Sequence, residues 1–219
     1  MRKSAVVLLS GGLDSSTVLY HALSKGYRCR ALVFDYGQRH RRELGSARRI
    51  AAACGVPCRT VRFGLPWKGS SLVDRKSDIP CGRAGKGIPS TYVPARNIIF
   101  LAFAVSYAEA AGASSVFIGA NAVDYSGYPD CRPGFIRAFD RAAKLGTKCG
   151  AAGRRISIKA PLVSKSKAGI VRAAVKLDVP LELTWSCYRG GKRPCMKCDS
   201  CRLRKKGFTD AGVKDPLKK

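Results

Sequence analysis

The sequence predicts a three-layer α/β fold, with a mainly parallel five-stranded sheet flanked by helices and a short cysteine-bearing segment at the end. Three observations lead there. Short apolar runs alternate with longer amphipathic stretches, the pattern of buried strands joined by crossover helices. The first apolar run ends in a Gly-Gly turn that opens into a stretch of helical period. Four of the ten cysteines fall between residues 187 and 201.

Taken in order, Ala5–Leu9 reads as a buried strand, and Ser15–Ser24 as a helix with Val18, Leu19, Ala22 and Leu23 on its apolar face. Arg30–Phe34 is the second strand, followed by a basic helix from about Arg41 to Ala53, and Cys58–Phe63 alternates as the third strand. Gly64 to Pro89 is polar, Gly-rich and longer than most connections, as lids and binding segments are. Ala95–Ala111 is a strongly apolar helix and Ser115–Gly119 the fourth strand. The turn-rich stretch Asn121–Pro133 precedes a helix over Gly134–Leu145. Ile156–Ile158 is a short fifth strand and Lys165–Leu177 a further helix. Residues 1–183 therefore read as one α/β unit and 184–219 as an appendage packed on it.

A hydrophobic fraction of 46% over 219 residues excludes a wholly disordered chain. The unusual quantity is the sign of the charge: 41 Lys and Arg stand against 14 Asp and Glu, a net +27. Such a balance suits a nucleic acid or another anionic partner, or coats the surface without a partner. No stretch approaches the ~18–20 apolar residues of a spanning helix. Ala5–Leu9, although it follows Arg2-Lys3, is too short for a signal-peptide core. The expectation is a cytoplasmic protein with no membrane association. Cys29, Cys54, Cys58, Cys81, Cys131 and Cys149 are scattered, as small buried thiols are in a reducing compartment. His21 and His40 are isolated and read as structural.

The turn Ser10-Gly11-Gly12-Leu13-Asp14-Ser15-Ser16-Thr17 carries chemistry. Two glycines permit a tight turn with backbone N–H groups open to an anion, and the helix start behind them adds a positive dipole end. Ser15, Ser16 and Thr17 add hydroxyl donors. The octet is neither a Walker A loop nor Gly-x-Gly-x-x-Gly. It resembles the pyrophosphate loop of the adenine-nucleotide α-hydrolase-like ATP pyrophosphatases, a Rossmann-like group of the HUP type. That resemblance implies ATP, with Mg²⁺, held by Leu8, Leu9, Ser10, Gly11, Gly12, Leu13, Asp14, Ser15, Ser16, Thr17 and Val18. Asp14 would hold either the loop or the Mg²⁺ ion.

Cys187-x7-Cys195-x2-Cys198-x2-Cys201 supplies four thiolates within 15 residues, the pattern of a closed structural Zn²⁺ site with no open position. An iron–sulfur cluster uses the same ligand type, and a redox pair is the third reading.

Between loop and cysteines lie Tyr92-Val93-Pro94-Ala95-Arg96-Asn97, then Gly119-Ala120-Asn121-Ala122-Val123-Asp124-Tyr125-Ser126-Gly127-Tyr128-Pro129-Asp130-Cys131-Arg132-Pro133, then Thr184-Trp185-Ser186-Cys187-Tyr188. In this order and spacing the chain resembles the 7-cyano-7-deazaguanine synthase family over nearly its whole length. The resemblance implies ATP-driven conversion of 7-carboxy-7-deazaguanine and ammonia to the nitrile, one zinc on the four cysteines, and a homodimer. Several residues suit the substrate. Asn121, Asp124 and Asp130 can hydrogen-bond a guanine-like edge. Tyr125 or Tyr128 can stack on it. Arg96 and Arg132 can pair with a carboxylate or phosphates, and Asn97 adjoins Arg96. Lys165 stands ahead of a helix, where it can meet phosphate. Asp14, Ser15, Arg96 and Lys165 form the expected catalytic set. Asp124 and Asp130 also suit Asx turns, a purely structural role.

Two other readings compete. A tRNA thiolase of the same loop group would use the basic charge, but Cys54-x3-Cys58 lacks the spacing of a catalytic Cys-x2-Cys pair. A non-catalytic zinc-ribbon binder of nucleic acid would leave the Ser10–Thr17 loop without a purpose.

Overall fold

The computed structural model describes residues 3–67, 69–74, 76–81, 87–121 and 127–217. Alternation along the first strand, β1 (Ser4–Leu8), sorts the molecule into two cores. Ala5, Val7 and Leu9 point into one, Val6 and Leu8 into the other, and each is almost wholly buried. Period-two side chains on a doubly covered strand demand this division. The other strands are β2 (Arg28–Asp35), β3 (Cys58–Arg62), β4 (Ser115–Phe117) and β5 (Ser157–Lys159). The five pair in parallel in the order β3-β2-β1-β4-β5. Val7 registers with Ala31 on one side and with Phe117 on the other.

Helices α1 (Leu13–Ser24), α2 (Arg42–Ala53), α6 (Lys167–Lys176) and α7 (Asp199–Ala211) cover the first face. Their Leu19, Ile50, Ile170 and Phe208 meet in one cluster. Helices α3 (Arg96–Ala110) and α4 (Pro133–Leu145) cover the second, through Leu101, Ala104, Val105 and Ile136. A short α5 (Lys148–Ala151) closes the turn after α4. The three layers and the parallel five-stranded sheet match the expectation. The α7 helix goes beyond it: with Arg202, Lys205 and Lys206 outside, this helix buries only Gly207, Phe208 and a few polar groups, too little to print an apolar period. Among the described residues no helix is long and apolar enough to cross a membrane.

The order 3-2-1-4-5 places a topological switch between β1 and β4, where the connections leave in opposite directions and a crevice opens at the strands' carboxyl ends. The loop Ser10–Gly12 stands there beside Gly119.

Candidate active site

The loop holds its shape through two close approaches. Gly11 has φ +80°, and a Cβ on it would lie 2.4 Å from the Glu43 carbonyl oxygen and 2.5 Å from the Ala47 nitrogen. Only glycine permits both the conformation and the contact. Across the crevice, a Cβ on Gly119 would come 3.0 Å from the Ser15 nitrogen. Inside the turn, Ser10 N donates to Ser15 Oγ at 3.2 Å, and Ser15 Oγ donates to the Gly12 carbonyl at 3.2 Å. From the far end of the chain, Trp185 N donates to the Gly11 carbonyl at 2.8 Å.

A cavity of about 310 Å³ opens over this loop. Leu8, Leu9, Ser10, Gly12, Leu13, Asp14 and Ser15 line it. Gly11, Ser16, Thr17 and Val18 lie behind the wall. The Ser16 hydroxyl donates to the Gly12 carbonyl at 2.7 Å and that of Thr17 to the Leu13 carbonyl at 2.8 Å. Both therefore fasten the first turn of α1 and do not face the cavity, because a helical hydroxyl satisfies its own preceding carbonyl when buried.

Asp14 is gripped by Lys167, whose Nζ lies 3.0 and 2.8 Å from the two carboxylate oxygens. Lys167, not Lys165, is the lysine that lines the cavity. Lys165 is exposed, and its backbone carbonyl takes a 2.5 Å hydrogen bond from Asn121 Nδ2. The same amide group also donates to the Leu162 carbonyl at 3.2 Å. Asn121 thus stands in the cavity wall with its amide nitrogen engaged by that neighbouring loop.

The wall also includes Tyr36, Gln38, Glu43, Arg96, Asn97, Phe100, Tyr128 and Tyr188. Arg96 opens α3, and its Nη1 donates to the Tyr36 hydroxyl at 3.3 Å. Burial works against its charge, but Tyr36, Tyr128 and the Asp130 carboxylate outweigh that and raise its pKa. It remains a cation. Tyr128 Oη is 2.7 Å from Thr91 Oγ1. Glu43 Oε1 accepts from Gln38 Nε2 at 3.3 Å, and burial raises the carboxyl from its usual 4.5 to about 7 despite Arg96 nearby.

Asp130 is buried and does not line the cavity. Its Oδ2 accepts from the Asn97 backbone nitrogen at 2.9 Å, while Asn97 Nδ2 donates to the Asp130 carbonyl at 3.2 Å. The aspartate acts as a remote cap, satisfying an N–H that the first turn of α3 leaves without an intrahelical partner. Arg132 is exposed at the start of α4 and also lies outside the wall. Asp124 and Tyr125 lie outside the described residues.

Sequence reasoning passed over Lys167, Glu43 and Arg204 and read His40 as structural; all four line the cavity. His40 sits in the turn before α2, with Nδ1 buried against Gly190. Arg204 is buried in a two-pronged pair with Asp215, with N–O distances of 2.9 Å for both contacts, and donates to Thr184 Oγ1 at 2.7 Å. One signal was present: Glu43 is the sole acid in the basic stretch Arg39–Arg49.

The sulfurs of Cys187, Cys195, Cys198 and Cys201 all lie within 4.8 Å of one another. A tetrahedral ion with bonds of about 2.3 Å sets its sulfurs about 3.8 Å apart, so the donor set fits a metal with little adjustment. Met196, at φ +58°, makes the tight turn between the second and third cysteines, and backbone N–H groups of Cys195 and Cys198 point at sulfurs 3.3 and 3.4 Å away. Ile79 and Trp185 pack on this knot, tying the long polar segment and the nucleotide loop to it.

Comparison with known proteins agrees with this geometry. Residues 4–212 match the family model described as queuosine biosynthesis protein QueC. The 7-cyano-7-deazaguanine synthase of Trichodesmium erythraeum is 53% identical over 219 residues, covering 97% of this chain and 99% of that one. Its counterpart in Pseudomonas fluorescens is 54% identical over 222 residues, covering 99% and 96%. Among solved structures, the NMN synthetase of Francisella tularensis superposes with a TM-score of 0.53 at 16% identity, over 97% of this chain and 79% of that one, a likeness of fold alone. The loop, the cavity above it and the four-cysteine knot thus occur in a chain that belongs to the QueC family of queuosine biosynthesis proteins.

Proposed function

We propose that this chain converts 7-carboxy-7-deazaguanine and ammonia to 7-cyano-7-deazaguanine at the expense of ATP. The observation that carries this reading is one cavity lined both by an anion-binding loop and by a half-buried cation among tyrosines. A carboxylate is a poor electrophile and must first be activated. The N–H groups of the α1 start and Lys167 beside Asp14 suit a departing pyrophosphate. Arg96 suits the substrate carboxylate, and the Tyr36, Tyr128 and Tyr188 side of the cavity suits a planar ring. Attack of ammonia on the acyl adenylate yields the amide, and a second activation of the amide oxygen permits loss of water to the nitrile. Asp14, the carboxylate that Lys167 engages, would hold a Mg²⁺ ion, which would supply positive charge toward the phosphates.

The four cysteines would hold one zinc, whose contribution is structural because all four positions are filled by protein. Ile98 and Phe103 leave apolar surface exposed on α3, which supports a homodimer. We place the protein in the cytoplasm, where free thiols persist. The tRNA-thiolase alternative fares worse. Cys131 is the cysteine in the cavity wall, and burial raises its thiol to about 11, far from a ready nucleophile. The test is incubation with ATP, ammonium and 7-carboxy-7-deazaguanine, read by mass spectrometry for the nitrile and by chromatography for AMP and pyrophosphate. Active-site-competent protein that forms no nitrile refutes the proposal.

A further inference from the structure

We propose that Glu43 is the general base of the amination step, receiving a proton from the nitrogen of ammonia as it attacks the activated carboxyl carbon. This inference rests on the reaction assigned above and adds to it a residue in a chemical role. Few groups can take that proton. Among the described residues, Asp14 and Glu43 are the carboxylates that line the cavity. Asp14 is bound at both oxygens by Lys167. Glu43 is less engaged: Oε1 accepts from Gln38 Nε2, and its carboxyl makes no further hydrogen bond among the described residues.

Glu43 is also well placed. It stands in the first turn of α2, and its own carbonyl is the atom against which Gly11 packs. Its carboxyl lines the same cavity as Ser10 and Gly12 of the pyrophosphate loop and as Arg96 and Tyr36, the space in which a carboxyl would be adenylated. Arg96 and Tyr36 are the groups whose charges act on it, and Arg39, His40 and Tyr128 share the cavity wall, His40 with its Nδ1 buried against Gly190. No ion pair joins Glu43 to Arg96, so the cation remains available to an anionic carboxylate and the carboxyl to a nitrogen. Gln38 is itself fixed, with Oε1 accepting from Tyr36 N at 2.8 Å and Nε2 donating to the Phe34 carbonyl at 3.1 Å, and so orients the carboxyl.

Burial raises the Glu43 carboxyl to about 7, which leaves a large ionised fraction at neutral pH with enough basicity to take a proton. In the step itself the nitrogen lone pair forms the C–N bond, and the positively charged nitrogen gives one proton to Glu43. The C–O bond to the adenylate breaks, and AMP leaves with that electron pair. Glu43 then returns its proton to water in the open cavity.

The test compares wild type, Glu43→Gln and Glu43→Asp in three assays. The first is ATP–pyrophosphate exchange driven by 7-carboxy-7-deazaguanine. The second is trapping of the activated carboxylate by hydroxylamine, a weaker base than ammonia whose adduct sheds its proton to water. The third is amide and nitrile formation from ammonium chloride. Glu43→Gln preserves the shape of the side chain and an oxygen for Gln38. The expected result is exchange and hydroxamate within a few-fold of wild type, with ammonia-dependent product down roughly 100-fold or more. Glu43→Asp should recover part of that loss. Two results overturn the inference: wild-type ammonia-dependent rates in Glu43→Gln, or a parallel fall of all three activities, which would mark a structural role. Failure of the wild-type protein itself to exchange pyrophosphate or form nitrile overturns instead the assigned reaction, and the role of Glu43 with it.

Discussion

Replacing Gly11 with alanine separates two costs that usually coincide. The residue has φ +80°, and a methyl group added there would stand 2.4 and 2.5 Å from backbone atoms of Glu43 and Ala47. Gly26 offers the control: φ is +76°, and nothing lies within 4 Å of where its Cβ would be. Both substitutions carry the left-handed penalty of about 1–1.5 kcal/mol, the lower part of the range for a residue placed in that region. Only Gly11→Ala must also push α2 off the loop, because the opposing atoms are backbone and cannot rotate away. A backbone displacement of that kind adds on the order of 2–3 kcal/mol. At roughly 2–4 °C per kcal/mol for a domain of this size, Gly11→Ala should lower Tm by on the order of 10 °C and Gly26→Ala by about 2–6 °C. Differential scanning calorimetry measures both, and isothermal titration with ATP should show binding lost in Gly11→Ala alone. Equal Tm shifts for the two variants, with ATP affinity kept in both, would refute the close-approach reasoning.

Four further outcomes follow from the same geometry. Lys167→Met should cut ATP-dependent turnover at least 10-fold, while Lys165→Met leaves it within about two-fold, measured as AMP release. Cys195→Ser should bind less than one equivalent of zinc by elemental analysis and melt lower, because the metal site folds with the chain. Asp215→Asn should cost about 3–5 kcal/mol in urea unfolding, since it strands the buried Arg204 guanidinium. Glu43 binds its proton up to about pH 7 in the native state but only to 4.5 when unfolded, so its stabilising effect is full below 4.5 and fades as pH rises through 7. The full shift corresponds to about 3 kcal/mol, and water in the open cavity reduces it to on the order of 1–2. Glu43→Gln should flatten the pH dependence of Tm across that window.

Sheet, loop and cysteine knot were legible because each depends on local pattern: apolar runs, a Gly-Gly turn, regular thiol spacing. The individual site assignments depended on partners distant in sequence. Lys165 and Lys167 are two residues apart on either side of Ser166, which caps α6 by accepting from Gly169 N: Lys165 precedes the helix and is exposed, while Lys167 opens it and reaches Asp14. Asp130 resembles a ligand residue because it lies in a polar turn, yet the helix start it caps is 33 residues earlier. Glu43 in a basic helix resembles a solvated charge until the fold brings Gly11 against its backbone. Arg204 likewise reads as one more surface cation until Asp215 and Thr184 enclose it.

The hydrogen bond from Trp185 to Gly11 spans 174 residues. A loop that depends on it is unfinished while the polypeptide is being made: its glycines and serines leave the ribosome long before this backbone partner does. The nucleotide site is therefore assembled late, after the sheet beneath it, and a truncated product lacking the cysteine segment should have a sheet but no competent loop. Catalytic competence in this chain therefore waits on the synthesis of Trp185.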